Sequence, residues 1–95
     1  MIRAEIIANQ SVQDDIQELL EQEIPDIEYT VFQEVKGKGL TSKKIGDTVW
    51  PEMNFILFAY VNHDSAVKIK QIMEETKQKF PREGMSYFFT KGEEV

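Results

Sequence analysis

The stretch Met53 to Val61, Met-Asn-Phe-Ile-Leu-Phe-Ala-Tyr-Val, constrains this chain more than any other. Its branched and aromatic content marks a β-strand. A strand turns successive side chains to opposite faces. Phe55, Leu57, Ala59 and Val61 form one set, and Ile56, Phe58 and Tyr60 form the other. Neither set is polar, whereas an antiparallel sheet with one wet face normally carries a polar set there. A monomer would hold several of these side chains in water. Each large one so held forgoes roughly 1.5–3 kcal/mol of burial, and contiguous apolar patches mark contacts. The strand therefore needs cover on both faces. Helices can supply one layer; the other is expected to come from further copies of the chain, packed sheet against sheet around an axis.

The elements around this strand follow from periodicity. Ile2 to Ala8 reads as a strand with apolar residues on both faces. Ser11 is the expected N-cap of a helix whose Val12, Ile16, Leu19, Leu20 and Ile24 recur at helical spacing. Pro25 ends it, because the residue before a proline is pushed out of helical geometry. Ile27 to Val35 reads as a strand with Ile27, Tyr29, Val31 and Val35 on one face and Phe32 on the other. Asp64 is the expected cap of a second helix that buries Ala66, Ile69, Ile72, Met73 and Phe80 and stops at Pro81. Met85 to Thr90 is a last strand, and 91–95 a polar tail expected to be mobile. The order βαββαβ predicts an α+β fold, a ferredoxin-like sandwich. In it a four-stranded antiparallel sheet carries both helices on one face. Residues 1–95 are expected to form a single domain.

Size and charge narrow the function classes. At 95 residues the chain buries a modest share of its surface, a shortfall often met by oligomerisation. A net charge of −6 opposes a general nucleic-acid binder, which needs a broad basic face. There is no cysteine, so thiol catalysis, disulfides and thiolate zinc sites are excluded. No apolar run reaches the ~18 residues a membrane helix requires, and Met1-Ile2-Arg3-Ala4-Glu5 lacks the pattern of a targeting segment. The expectation is a cytoplasmic protein with no membrane insertion.

The long connection 36–52 stands apart. It holds Lys36, Lys38, Lys43 and Lys44 against two acids, Asp47 and Glu52, so it is locally basic in an acidic chain. Gly37 and Gly39 permit positive φ and close backbone approach, and successive N–H groups in a glycine turn can cradle an anion. Connections longer than ~12–15 residues tend to be functional; the plain alternative is a solvated hairpin loop. Trp50 can pack on a neighbouring subunit or stack on a ligand ring. Asn54 and Glu52 sit where the loop rejoins the sheet. His63 is the only histidine, and with no second histidine a turn position suits it better than a metal or acid–base role. Glu5, Glu28 and Glu34 could pair as carboxylates, but their spacing specifies nothing. No catalytic arrangement and no metal signature can be singled out, so no enzymatic activity is expected.

The segment Glu34-Val35-Lys36-Gly37-Lys38-Gly39 resembles the Glu-Val-Lys-Gly-x-Gly that ends the second strand and opens the T-loop in the PII signal-transduction family. The βαββαβ order and the domain size are similar as well. The resemblance implies a homotrimer that binds ATP or ADP in clefts between subunits and touches a protein target through its T-loop. It implies that Gly37 and Gly39 lie beside the nucleotide, with Lys36 near the cleft. Arg82 and Gly84 stand where that family carries a Gly-Asp-Gly-Lys segment before the last strand. The ligand-binding set expected here is thus Lys36, Gly37, Lys38, Gly39, Lys43, Lys44, Trp50, Asn54, Arg82 and Gly84. Two other classes remain open. One is a divalent-metal tolerance protein of the CutA type, using His63, Asp47 or Glu52. The other is a small enzyme of ferredoxin-like fold.

Overall fold

The computed structural model describes residues 1–37 and 53–95. Strand β1 (Ile2–Asn9) leads through a short 3-10 turn (Gln10–Val12) into helix α1 (Gln13–Glu23). Strands β2 (Thr30–Lys36) and β3 (Met53–Val61), helix α2 (His63–Lys79) and strand β4 (Met85–Lys91) follow. The sheet order is β2-β3-β1-β4, every neighbouring pair antiparallel. This is the ferredoxin-like α+β sandwich that the element order predicts.

Asparagines cap the 3-10 turn that leads into α1 and the start of α2, while Val12, at the N-cap of α1 itself, makes no side-chain cap bond. The Asn9 side chain accepts from the Ser11 N–H at 2.9 Å, so the cap lies two residues before the expected Ser11. Asn62 accepts from the Ser65 N–H at 2.8 Å, and Asp64 falls in the first turn, where its charge complements the helix dipole. Asparagine reaches the free amides of a first turn as well as serine or aspartate does, so either neighbour satisfied the pattern.

The core lies between the helices and one face of the sheet. Val12 from the 3-10 turn, Ile16 and Leu20 from α1 and Ile69, Ile72 and Met73 from α2 meet Ala4, Ile6 and Ala8 of β1 and Phe55, Leu57 and Ala59 of β3. The alanines keep this face low, so the helices pack close. Met85, Tyr87 and Phe89 extend the same face across β4.

The opposite face is uncovered in the single chain. Register lines it up in rows: Phe32, Ile56, Ile7 and Ser86; then Thr30, Phe58, Glu5 and Phe88; then Tyr60, Arg3 and Thr90. Phe32, Tyr60 and Phe88 are 53%, 51% and 51% exposed. The apolar second face anticipated for Met53 to Val61 is therefore real.

Strand β2 departs from simple alternation. Phe32 pairs with Ile56, but Val35 pairs with Asn54, so one extra residue is inserted opposite Phe55. Glu34 takes φ 56° within this bulge. Val35 consequently shares a face with Asn54, not with Val31 as a period of two requires. At the other terminus β4 runs on to Lys91, which pairs with Ile2, and the Gly92 N–H donates to the Met1 carbonyl at 2.9 Å. The segment expected to be a mobile tail is thus tied down at its first two residues.

Candidate functional site

Of the expected ligand-binding residues, the described ones, Lys36, Gly37, Asn54, Arg82 and Gly84, lie at one end of the sheet, where β1 and β2 finish and β3 and β4 begin. Asn54 is the register partner of both Val35 on β2 and Asn9 on β1. The Asn9 N–H in turn donates to the Gly84 carbonyl at 3.0 Å. A row therefore crosses the sheet: Lys36 and Gly37 at the β2 edge, Asn54 and Asn9 in the middle, Gly84 and the exposed Arg82 at the β4 edge.

Gly37 is fixed by space. A Cβ built on it would stand 2.7 Å from the Asn54 amide nitrogen, and its φ is not left-handed. The left-handed residue of this strand end is Glu34 instead. Of the two roles expected of glycine here, Gly37 serves close approach, leaving room for Asn54 to lie against the backbone, while the bulge at Glu34 turns the strand; Gly39 lies outside the described residues. Gly84 contrasts with it, since no atom of the described residues comes within 4 Å of a Cβ built there.

Lys36, Gly37 and Asn54 are brought together. Arg82 and Gly84 are not near them in the same chain, because β3 and β1 intervene. Three strand spacings amount to roughly 14 Å. Lys38, Gly39, Lys43, Lys44 and Trp50 lie outside the described residues, as do Asp47 and Glu52. His63 is exposed in the first turn of α2, at the other end of the sheet. Glu5, Glu28 and Glu34 are not gathered; Glu5 is engaged by Arg3. A depression of about 410 Å³ also lies at that far end, between 23–28 and the start of α2. It contains none of the expected ligand-binding residues, so the chemistry argued from the sequence gives it no role.

One arrangement escaped sequence reasoning. On the open face the Arg3 guanidinium lies 4.7 Å from the centre of the Phe58 ring and 5.9 Å from that of Tyr60. It donates to the Glu5 carboxylate at 3.2 Å and to the Tyr60 hydroxyl at 3.1 Å. The Glu5 bond, then the Tyr60 bond, raise the Arg3 pKa above its ordinary value. The available signal was the pair Arg3 and Glu5, two apart and hence on one face of an otherwise apolar strand.

No protein-family model matches the chain, and no curated protein sequence matches it. The likeness to known proteins is in three dimensions. A PII-like signalling protein from Thermus thermophilus is similar with a TM-score of 0.66 and 21% identity, over 94% of this chain and 83% of that one. CPII from Thiomonas intermedia, solved with ADP and bicarbonate, is similar with a TM-score of 0.70 and 17% identity, over 94% of this chain and 82% of that one. The de novo designed protein Foldit4 is similar with a TM-score of 0.62 and 12% identity, over 97% of this chain and 98% of that one. A scaffold shared with a designed chain carries architecture, and function has to be argued from the site. On that footing, the chain has the ferredoxin-like fold of the PII-like signalling proteins.

Proposed function

We propose that the chain is a divergent PII-like regulatory module. It assembles as a homotrimer and binds a small anionic ligand, an adenine nucleotide first among them, in clefts between subunits. It signals to a protein target through the 36–52 loop, in the cytoplasm and without catalysis. The observation that carries this reading is the division of the expected site between the two sheet edges. Strands β2 and β4 are the two edges and run antiparallel to each other. Lys36 at the end of one and Gly84 at the start of the other therefore lie at the same end of the sheet. Rotating a copy about an axis along the strands sets its β4 edge beside the β2 edge of the next. That heterologous contact closes into a ring. It turns the apolar open faces inward and joins Lys36 and Gly37 of one copy to the Arg82 and Gly84 positions of its neighbour. Two cations from different subunits and the vacant space at Gly84 suit a phosphate group. The CPII structure with ADP and bicarbonate supports the ligand class.

The metal-tolerance alternative gains nothing from the geometry: among the described residues no three His, Asp or Glu side chains gather.

Complementation tests the reading. Calorimetry with ADP, ATP and AMP is expected to show binding to the wild type and none to Lys36→Ala or Arg82→Ala. Unfolding the two variants together and refolding the mixture should restore part of the binding, because mixed rings contain clefts with both cations intact. Recovery absent from a mixture that sediments as trimers would defeat the shared-cleft assignment.

A further inference from the structure

The open face contains a charged pair that its surroundings do not explain. Arg3 and Glu5 sit on β1, one of the two central strands, among Phe58, Tyr60 and Phe88. Their side chains are 34% and 32% exposed. The contact between them is single: one guanidinium nitrogen to one carboxylate oxygen at 3.2 Å. Arginine and carboxylate are built to meet two-on-two. Among the described residues, the second Glu5 oxygen accepts no bond, and Arg3 donates only to Glu5 and Tyr60. Covering an aromatic face is favourable, but burying a half-paired charge is costly unless the covering surface completes it. Whatever covers this face must bring a carboxylate, a guanidinium and aromatic rings in one patch. A second copy of this chain brings all of these.

We infer that Arg3 and Glu5 form a charged bar, each subunit's Arg3 reaching the next subunit's Glu5 around the ring, that sets the register in which copies of this chain meet. Each Arg3 takes the spare oxygen of the partner subunit's Glu5 while keeping its own. The aromatic rings supply contact area that is tolerant of sliding; the charged bar does not tolerate it, since a slide along the strand draws each Arg3 away from the partner subunit's Glu5. This inference rests on the assembly proposed above and names the residues that orient it.

Charge reversal tests it. Sedimentation equilibrium on the full chain is compared for wild type, Arg3→Glu, Glu5→Arg and the double swap R3E/E5R, with circular dichroism confirming that each is folded. Each single reversal is expected to raise the half-assembly concentration on the order of a hundredfold, and the double swap to return it to within about tenfold of the wild type. Raising sodium chloride should weaken wild-type assembly. The neutral variants R3Q, which also shortens the side chain, and E5Q, which keeps its shape, provide a second series if a reversal fails to fold; each should shift assembly in the same direction. Single variants that assemble as tightly as the wild type would overturn the charged bar and leave the trimer standing. A wild type that sediments as a monomer would overturn the trimer and the bar together.

Discussion

On β3, neighbouring residues of equal hydrophobicity occupy different surroundings. Phe55, Leu57 and Ala59 are sealed under the helices, while Ile56 and Phe58 are partly covered and Tyr60 is exposed. The two faces differ in what lies beside those residues. The covered face places Ala4 and Ala8 next to its large side chains, giving the helices a shallow bed. The open face places bulky rings beside a charged pair, a relief that a helix cannot follow but that another such sheet can. One face is shaped for the chain's own helices; the other is the face proposed above for contact between molecules. The faces should therefore respond differently to the same kind of truncation.

The largest effect is expected from Leu57→Ala. Leu57 is fully buried, and large-to-small changes at such sites cost about 2–5 kcal/mol. Chemical denaturation of a dilute sample reads it. Phe58→Ala, one residue along, should cost the dilute protein much less and instead weaken self-association, read by sedimentation. If Phe58→Ala destabilised the monomer as much as Leu57→Ala and left assembly unchanged, the contrast between the faces would be lost.

Gly37→Ala is next. The added Cβ meets the end of the Asn54 side chain at 2.7 Å, so the amide must move. Overpacking of this order costs about 1–3 kcal/mol, towards the lower end here because a side-chain tip can yield. Displacing Asn54 should weaken nucleotide binding more than it lowers the melting temperature. A variant with unaltered calorimetric affinity would separate the Gly37–Asn54 contact from the ligand site.

The faces of β1, β3 and β4, both helices and their last turns were legible because they rest on periodicities that run over many residues; β2 was expected from Ile27 but begins at Thr30, and Val35 lies on the face opposite Val31. Val12, Ile16 and Leu20, or Ile69, Ile72 and Met73, admit one arrangement on a helix. The bulge was not legible. Gln33-Glu34 carries no glycine or asparagine to announce a left-handed residue, and the extra residue is visible only in the register against Phe55. The caps of the 3-10 turn and of α2 fell to asparagines beside equally good candidates. At the site, reading 36–52 as one connection between neighbouring strands placed Asn54 beside Lys36 and Gly37, but only topology reveals that Arg82 and Gly84 stand on the far edge. The Arg3–Glu5 pair was overlooked for a related reason: spacing puts the two on one face, yet only the fold leaves that face uncovered among rings contributed by other strands.

Glu34 offers a smaller test of how the β2 edge is shaped. A non-glycine residue in the left-handed region costs roughly 1–2 kcal/mol, and a β-branched side chain suffers more there. Glu34→Val should lower stability by about 1 kcal/mol or more, whereas Glu34→Asn should hold or raise it, since asparagine tolerates that conformation. Thermal melts at matched concentration decide it. Equal loss in both variants would mean that the side chain of Glu34, not its backbone, holds the bulge.

The smallest effect on folding is expected at Gly84, and it says most about the two edges. No atom of the described residues comes within 4 Å of a Cβ there, and its φ is not left-handed, so Gly84→Ala should change the stability of the dilute chain by less than about 0.5 kcal/mol. Nothing among the described residues of one copy then explains why the position is bare. In the proposed ring the β2 edge of the next subunit and the ligand approach this point, and the methyl group should obstruct them. The expected result is an unchanged melting temperature with a clearly raised nucleotide Kd. If the affinity stayed equal to wild type in assembled protein, the β4 edge would be acting as a plain strand end, and the cleft would have to be built from the Lys36 side alone.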